Sequence, residues 1–315
     1  MESNELKAIS LFAGVGGVCK GFINNNVSIV FANDIDKYAS LTYNQNFSHK
    51  ILTEDIHNID TKDVADADFL LFGFPCQAFS IAGYQKGFSD FRGNLFFEAL
   101  RFLKDKKPRA FLLENVKNLV SHDNGNTFNV IINSLKDLGY KIRYSVINSC
   151  THGNVPQNRE RIYVVGFLDS NHCDKFYFPD TQPLTNKIKD ITNPIEKKEE
   201  KYYYHNSKYF DMLKDVVTNQ DTVYQLRRIY VRENKSNLCP TLTANMGTGG
   251  HNVPLVIDDF GIRKLTPREC FSLQGFPLDY ILPNIADCHL YKQAGNSVTV
   301  SVIDKIAKNM ISAMA

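Results

Sequence analysis

The sequence lacks several features that would assign it to a class at once. Its longest apolar runs, such as 69–74 and 110–113, are far too short to span a bilayer, and the amino terminus has no signal-peptide hydrophobic region. The seven cysteines are odd in number and never spaced as Cys-x-x-Cys, which argues against a disulfide framework and a zinc site. We therefore expect a soluble, cytoplasmic protein with no bound metal and no membrane partner.

An excess of charge of either sign is also missing. The 36 lysines and arginines stand against 34 aspartates and glutamates, which leaves a net charge of +2. A balance this close to neutral neither supports nor excludes nucleic acid as a partner, so any basic surface must come from local clustering. No internal repeat or low-complexity segment is evident.

The first half of the chain has the pattern of an open α/β sheet. The 315 residues, 43% of them hydrophobic, are enough to bury a substantial core. From Lys7 to about Phe167, short β-rich runs alternate with segments of helical character. The predicted strands are 8–12, 27–32, 69–72, 110–113, 142–147 and 161–167. The predicted helices are 36–44, 95–103 and 127–138.

The second half is less regular until its last fifty residues or so. Periodicity fades from about Asp169 to Gly261, and a Gly-rich loop occurs at 246–250. The stretch Thr266-Pro267-Arg268-Glu269 then has the form of a capping box, and the amphipathic segment 300–314 should pack against a core. We predict a first domain over residues 1–169, a second domain over 170–262, and a C-terminal segment, 263–315, that returns to the first domain.

A glycine-rich turn follows the first predicted strand. Gly14, Gly16 and Gly17 allow a tight strand-to-helix turn whose backbone approaches a ligand. A dinucleotide fingerprint would need a third glycine where Cys19 stands, so pyrophosphate binding is unsupported. Asp34 follows about twenty residues later, where a carboxylate accepts hydrogen bonds from ribose hydroxyls. The pattern fits a nucleoside-bearing cofactor, while the plainer alternative makes the glycines turn residues and Asp34 a helix cap.

Three chemically useful groups are expected at the same edge of the sheet. Cys76 follows one apolar strand and Glu114 follows the next, and ligands in open α/β sheets bind beyond the carboxyl ends of strands. A partly buried glutamate is easily raised in pKa and then serves as an acid near neutrality. Arg159 and Arg161 are two residues apart, hence on the same side of an extended segment. Singly, each group has a structural alternative: a buried thiol, a capping carboxylate, a surface arginine pair.

Six motifs carry a family resemblance. FAGVGG, GFPCQAFS, ENVKN, PQNRERIY, LTPREC and AGNSV stand in the order and spacing seen in the DNA cytosine-5 methyltransferases. The chain most closely resembles the small bacterial restriction-modification type, over nearly all its length outside 170–240. The resemblance implies a Rossmann-like α/β sheet of the S-adenosylmethionine-dependent methyltransferases over 1–169, which would be the catalytic domain. A smaller, irregular target-recognition domain would occupy 170–262.

The resemblance also implies roles for individual residues. Cys76 would add to carbon 6 of cytosine and so make carbon 5 nucleophilic. Glu114 would hold or protonate ring nitrogen 3, and Arg161, with Arg159 as its neighbour, would steady the ring oxygen. Methyl would come from S-adenosylmethionine, although the family usually has Glu at the position of Asp34. The residues expected at the cofactor are Phe12, Gly14, Gly16, Gly17, Asp34, Ile35, Asp55, Ile56, Pro75, Asn296 and Val298.

A cytosine inside a duplex is out of reach of the thiol unless the nucleotide is flipped out. The glycine-punctuated segment 82–93 would be the lid over it, with Lys86 and Arg92 available to phosphates. In the target-recognition domain, Arg227 and Arg228 begin a locally basic run that either contacts DNA or is a solvated face. The loop after Pro240 contains Thr248 and Gly249, whose small size suits an approach to base edges.

Two other functions stay open at the level of sequence. The tRNA-methylating branch of the same family shares the core motifs, and a methyl-transfer assay that compares duplex DNA with tRNA separates the two. A catalytically idle DNA-binding or structural module is disfavoured by the presence of Cys76, Glu114 and Arg161. We expect a monomer that acts on duplex DNA, with a separately acting cognate restriction endonuclease as the further candidate partner.

Overall fold

The structure, a computed structural model, describes residues 5–74, 95–249 and 252–315. Contacts group the chain into two units. Unit 1 comprises Met1–Ile147, Glu160–Pro179 and Ile303–Ala315, and unit 2 comprises Asn148–Arg159 and Asp180–Val302. Each unit has its own sheet and its own buried apolar cluster.

The described residues form short strands and helices throughout. The strands are β1 (Lys7–Leu11), β2 (Ser28–Asp34), β3 (Leu52–Thr53), β4 (Phe69–Phe72), β5 (Ala110–Val116), β6 (Lys141–Asn148), β7 (Gln157–Asn158), β8 (Glu160–Phe167), β9 (Tyr224–Leu226), β10 (Val231–Glu233), β11 (Cys239–Pro240), β12 (Leu255–Asp258) and β13 (Gly261–Lys264). The α-helices are α1 (Gly17–Ile23), α2 (Lys37–Asn46), α3 (Leu95–Lys106), α4 (Asn126–Asp137), α5 (Ser149–His152), α6 (Ser170–Lys175), α7 (Ile188–Thr192), α8 (Phe210–Lys214), α9 (Pro267–Ser272), α10 (Asp287–Asn296) and α11 (Val300–Met314). Short 3₁₀ turns occupy Ile56–Asn58, Thr61–Asp63, Lys117–Val120, His122–Gly125 and Glu200–Tyr202.

Unit 1 is built on a sheet of seven strands in the order β3-β2-β1-β4-β5-β8-β6. The pairs β2–β3, β1–β2, β1–β4 and β4–β5 are parallel, whereas β8 runs antiparallel to β5. The central strand β4 is buried at all four positions, as expected where both faces of a parallel sheet are covered. Its carboxyl end therefore emerges from the middle of the core.

Helices α3 and α4 contribute to the main apolar core of unit 1. Phe96 and Phe102 of α3 and Ile131 and Leu135 of α4 are fully buried there. The apolar positions of both helices recur at helical spacing, so each helix presents one buried stripe. This packing fixes β4 and β5, the two strands whose ends lead into the predicted catalytic residues.

The last helix of the chain packs against the first helix of unit 1. A Cβ atom on Gly21 of α1 would lie 2.6 Å from Cγ2 of Ile303 and 2.8 Å from the backbone nitrogen of Asp304. The amide of Asn25 also donates to the backbone oxygen of Asp304 at 3.0 Å. Only glycine permits this close approach, so the carboxyl-terminal part of α11 is an integral part of unit 1.

Unit 2 contains a four-stranded antiparallel sheet in the order β10-β9-β12-β13 and a small parallel pair, β7–β11. Arg263 on β13 is fully buried between two carboxylates, with its Nε 2.5 Å from Asp258 and its Nη2 2.8 Å from Glu269. Glu269 also completes the capping box of α9 by accepting from the backbone of Thr266. This buried ionic network joins the sheet of unit 2 to the start of α9.

Most elements predicted from sequence are confirmed, including the α/β class with a mostly parallel sheet, helices at α2, α3 and α4, the capping box of α9 and the closing helix at Val300–Met314. The sequence pattern did not predict β3 or α10, and the region expected to be irregular, 170–262, contains most of the four-stranded sheet β10-β9-β12-β13. The predicted strand 110–113 is also too short, because β5 continues to Val116 through its pairing with β8.

The grouping of the C-terminal segment differs from the expected one. Residues 303–315 belong to unit 1, but 263–302 group with unit 2, where the main chain at Gly295 packs directly against Thr243. The functional labels of the domains stay predictions. Among the helices that the structure describes, none is both long and apolar enough to cross a membrane.

Candidate active site

The turn between β1 and α1 has the conformation that its glycines allow. Gly14 and Gly16 have positive φ values of 55° and 79°, and Phe12 also adopts a positive φ of 54°. The Ala13 N–H donates to the Asn33 carbonyl at 2.8 Å, which ties the turn to the end of β2. Gly17 is buried as the first residue of α1. A residue with a Cβ at Gly14 or Gly16 would strain this backbone.

Asp34, the last residue of β2, holds the glycine turn in place. Its Oδ2 accepts from the Gly14 N–H at 2.7 Å, and its Oδ1 accepts from the Asp36 N–H at 2.8 Å. Burial raises the pKa of the Asp34 carboxyl, while these backbone hydrogen bonds act in the opposite direction. The cap of α2 is Asp36, which accepts from Tyr38 and Ala39, so Asp34 is not the helix cap of the plainer alternative.

The two faces of the glycine turn differ in the space around them. A Cβ on Gly16 would overlap the ring of Phe47, so the back of the turn is filled by packing. A Cβ on Gly14 would meet no atom of the described residues within 4 Å, so the front is open within that part of the chain. Ile35, next to Asp34, is 70% exposed although it is a large apolar residue. An open glycine cradle beside an exposed apolar side chain and a carboxylate fits a nucleoside-bearing cofactor.

Asp55 and Ile56 lie at the start of the 3₁₀ turn after β3. The Asp55 carboxylate accepts from the His57 N–H at 3.0 Å and lies 2.6 Å from Nδ1 of His57. These hydrogen bonds lower the pKa of Asp55. Ile56 is buried. The carbonyls of Ile56 and Ile59 accept from Arg101 on α3, which fixes the turn.

Glu114 and Arg161 form an ion pair across the antiparallel strands β5 and β8. The Arg161 Nε lies 3.2 Å from the Glu114 Oε1, and each side chain is only 13% exposed. The register sets Val116 opposite Arg161 and Glu114 opposite Tyr163, so the two side chains meet diagonally. Glu114 lies within β5 rather than beyond it, which corrects the position expected from sequence.

The end of β4 approaches Glu114 closely. A Cβ on Gly73 would lie 3.1 Å from the Glu114 carbonyl oxygen and 3.3 Å from its Oε2. The buried Asn115 amide donates to the Phe74 carbonyl at 2.8 Å, which fixes the chain one residue before Pro75. Pro75, Cys76, Lys86 and Arg92 lie outside the described residues. The sequence pattern did not identify Gly73 or Asn115 as residues next to the site. Asn115 could have been identified, because it is a polar residue within an apolar strand.

The six cysteines that the structure describes are free thiols, and all except Cys288 are buried. Burial raises the pKa of Cys19, Cys173, Cys239 and Cys270. A thiol with a raised pKa is a poor nucleophile near neutral pH, because the thiolate is the reactive form.

Arg159 has different partners from Arg161. It is 2% exposed, and its guanidinium donates to the carbonyls of Leu242, Gly295 and Ser297 at 2.9, 3.1 and 2.5 Å. These contacts lie within unit 2, whereas Arg161 pairs with Glu114 in unit 1. We expected Arg159 and Arg161 to serve one site side by side. The structure corrects this expectation, because the guanidinium of Arg159 donates to main-chain carbonyls whereas that of Arg161 pairs with Glu114.

The Asn296 motif, AGNSV at residues 294–298, begins within α10 and has one exposed polar residue. Asn296 is exposed, while Gly295 and Ser297 on either side of it are buried, as is Val298. Arg159 holds the carbonyls of both neighbours of Asn296. Asn296 and Val298 belong to unit 2, and Phe12, Gly14 and Asp34 belong to unit 1.

Unit 2 also contains a cleft of about 540 Å³ that brings together two segments noted in the sequence. Arg227 and Arg228 lie at the β9–β10 hairpin, where the Arg227 N–H donates to the Tyr230 carbonyl at 2.9 Å. The described lining includes three arginines and no acidic residue. Polar lining residues come from the loop that follows β11: Thr241, Thr243, Asn245 and Asn252. Thr248 and Gly249 are exposed in this loop but are not among the lining residues.

Known proteins are similar to this chain over nearly all of its length. A family model described as C-5 cytosine-specific DNA methylase matches residues 6–312. The chain is 56% identical over 313 residues to the type II methyltransferase M.Bsp6I of Bacillus sp. (strain RFL6), across 98% of this chain and 99% of that one. It is 43% identical over 314 residues to the type II methyltransferase M.HaeII of Haemophilus aegyptius, across 98% and 94%.

A solved structure shares the fold. The S. pombe Dnmt2 methyltransferase matches with a TM-score of 0.73 and 18% identity, over 98% of this chain and 99% of that one. The family match spans nearly the whole chain, and the relatives are similar over nearly their whole length. The chain therefore belongs to the C-5 cytosine-specific DNA methylases, enzymes that methylate carbon 5 of cytosine in DNA.

Proposed function

We propose that this enzyme transfers methyl from S-adenosylmethionine to a cytosine flipped out of a short site in duplex DNA, through a covalent bond between Cys76 and carbon 6. The observation that carries the proposal is the largely buried Glu114–Arg161 pair, which lies against Gly73 at the end of the strand that leads to Cys76. A carboxyl group that gives a proton to ring nitrogen 3 and accepts from the exocyclic amine, beside a guanidinium that donates to the ring oxygen, matches the hydrogen-bonding edge of a flipped cytosine.

The proposed mechanism divides the work among three side chains. The Cys76 thiolate forms a bond to carbon 6, and the ring electrons move so that carbon 5 becomes nucleophilic. Glu114 acts at ring nitrogen 3 and the exocyclic amine, and Arg161 stabilises the charge on the ring oxygen. S-adenosylmethionine, when bound, would supply the methyl group from its sulfonium sulfur, which is left as a neutral thioether. A base then takes the proton from carbon 5, and the bond from carbon 6 to Cys76 breaks to release the thiolate and restore the aromatic ring.

The glycine turn and Asp34 are the proposed centre of the cofactor site. None of the described residues fills the space in front of Gly14, Asp34 offers carboxylate oxygens to ribose hydroxyls, and the exposed Ile35 offers an apolar surface to the adenine. We assign Phe12, Gly16, Gly17, Asp55, Ile56, Pro75, Asn296 and Val298 to the same cofactor.

The arginine-lined cleft of unit 2 is the proposed DNA contact. Its three arginines provide positive charge for phosphates and its hydroxyl and amide groups suit base edges. Thr248, Gly249, Lys86 and Arg92 are assigned to DNA on the sequence pattern alone. A monomeric state and a separately acting restriction endonuclease stay predictions.

Methyl transfer to nucleic acid tests the proposed reaction. With S-adenosylmethionine labelled in its methyl group, label should enter cytosine of duplex DNA and not tRNA. Glu114→Gln should lower kcat by about 10²- to 10⁴-fold, because an amide cannot supply a proton to the ring. Calorimetry should show cofactor binding nearly unchanged in this variant.

Glu160→Gln is the matched control, because Glu160 neighbours Arg161 but its carboxylate is 42% exposed and pairs with Lys117. Label in tRNA alone would refute the proposed substrate. Full turnover in Glu114→Gln would remove Glu114 from the mechanism.

Replacing the carboxylate of Asp34 tests the cofactor site. Asp34→Asn should weaken S-adenosylmethionine binding by about 1.5 to 3 kcal/mol, the scale of hydrogen bonds to a charged group. Asp36→Asn is the control, since asparagine caps a helix as well as aspartate does. Equal affinities for Asp34→Asn and the unaltered protein, measured by calorimetry, would exclude Asp34 from the ribose.

Removing two cleft arginines tests the DNA surface. The Arg227→Ala/Arg228→Ala double variant should bind duplex DNA more weakly, and its slope of log affinity against log salt should become shallower by about 0.9 for each phosphate that is no longer neutralised. The double variant Lys208→Ala/Lys214→Ala removes the same charge from a part of unit 2 outside the cleft lining. Equally weakened binding in both double variants would show a general charge effect and contradict the assignment.

A further inference from the structure

Arg159 is held at both its main chain and its side chain. Its N–H donates to Oδ1 of Asn148 at 3.2 Å, and its carbonyl accepts from the Ser149 N–H at 2.9 Å. Its guanidinium nitrogens Nη1 and Nη2 donate to three main-chain carbonyls while only 2% of the residue is exposed. A cation with this set of partners is fixed in one position.

The three carbonyls belong to two segments with different proposed ligands. Leu242 lies in the loop that follows β11. Its neighbours in sequence, Thr241 and Thr243, line the arginine-lined cleft. Gly295 and Ser297 flank the exposed Asn296. Arg159 therefore binds the proposed DNA loop with one nitrogen, Nη1, and the proposed cofactor motif with the other, Nη2.

These two segments also touch each other directly. A Cβ on Gly295 would overlap the carbonyl group of Thr243 and lie 2.6 Å from the Ala244 nitrogen. Main chain thus packs on main chain with no side chain between them. A displacement of one segment must be transmitted to the other, because neither has free space at this contact.

A guanidinium suits this junction and an ammonium does not. The planar fork of arginine presents donors in several fixed directions, whereas lysine has one nitrogen on a flexible stem. A lysine at this position would leave at least one buried carbonyl without its donor, which is costly in a water-excluded environment.

We propose that Arg159 is a positioning residue that fixes the 242–249 loop and the Asn296 motif relative to each other, and so couples the binding of duplex DNA to the binding of the cofactor. The proposal rests on the proposed function, which assigns these two segments to DNA and to S-adenosylmethionine. It replaces the catalytic role that the sequence suggested for Arg159, since its Nη1 and Nη2 donate to carbonyls of unit 2.

The test separates binding from turnover in Arg159→Lys. Calorimetry should show about tenfold weaker binding of S-adenosylhomocysteine. Fluorescence anisotropy should show about tenfold weaker binding of a DNA duplex that is methylated at the enzyme's target cytosine. The kcat at saturating ligands should stay within about threefold of the unaltered enzyme. Arg161→Lys should have the opposite effect: kcat should be strongly reduced, while the affinities for S-adenosylhomocysteine and for the methylated duplex should be nearly unchanged. Arg109→Lys, a surface substitution at a side chain that is 48% exposed, should change neither.

A reduced kcat with unchanged affinities in Arg159→Lys would overturn the proposal and restore a catalytic role. Unchanged kcat and unchanged affinities would overturn it as well. If the unaltered protein neither binds the cofactor nor methylates DNA, the proposed function itself fails, which is a distinct outcome.

Hydrogen–deuterium exchange on the unaltered protein provides a measurement that does not depend on a folded variant. Addition of S-adenosylhomocysteine without DNA should slow amide exchange in Leu242–Gly249, because ordering of the Asn296 motif is transmitted to the loop. Exchange in Arg227–Glu233, which receives no Arg159 hydrogen bond among those described above, is the internal comparison. Unchanged exchange in Leu242–Gly249 on cofactor binding would contradict the coupling.

Discussion

The antiparallel pairing of β8 with β5 is the constraint on which the candidate active site depends. It reverses the direction set by the parallel pairs from β3 to β5, and its register brings Arg161 within 3.2 Å of Glu114. Removing one partner of a buried pair leaves an uncompensated charge, typically at a cost of about 3 to 5 kcal/mol. The pair therefore fixes the positions of Glu114 and Arg161, the two side chains proposed to act on the cytosine ring, before any substrate arrives.

The backbone next to the proposed ligand-binding residues is held by hydrogen bonds to polar side chains. Asp34 accepts from the Gly14 N–H, Asn115 donates to the Phe74 carbonyl, Arg101 donates to the Ile56 carbonyl, and Arg159 holds the neighbours of Asn296. Each of these polar groups replaces water as the partner of a backbone group close to a predicted site residue. Backbone segments that carry predicted ligand-binding residues are therefore held by buried and part-buried polar side chains as well as by apolar packing.

Sequence alone predicts the strands, helices and caps that are set by interactions between residues close together in the chain. The apolar runs of β4 and β5, the helical spacing of α4 and the capping box at Thr266 each follow from residues near one another in the chain. The family motifs likewise identify Glu114 and Arg161, and the structure brings these two together.

Partners that are distant in sequence could not be predicted in this way. The carbonyls held by Arg159 lie 83 to 138 residues away, so no spacing rule distinguishes Arg159 from Arg161 two positions on. Arginine pairs in a motif suggest a shared role, but the chain changes from unit 2 to unit 1 between these two residues. Strand β3, with only two residues, is likewise set by its pairing with β2 and has no periodicity of its own.

Trapping of the covalent intermediate tests whether Cys76 bonds to carbon 6 of the target cytosine. Duplex DNA with 5-fluorocytosine at the target position should be methylated once in the presence of S-adenosylmethionine and then stay bound, because fluorine cannot leave as the proton does. We expect a denaturation-resistant adduct at Cys76 that Cys76→Ser abolishes, since a hydroxyl is far less ionised and less nucleophilic than a thiol. A cross-link that maps to Cys19, Cys150 or Cys239, or the absence of an adduct on DNA that the enzyme methylates, would contradict it.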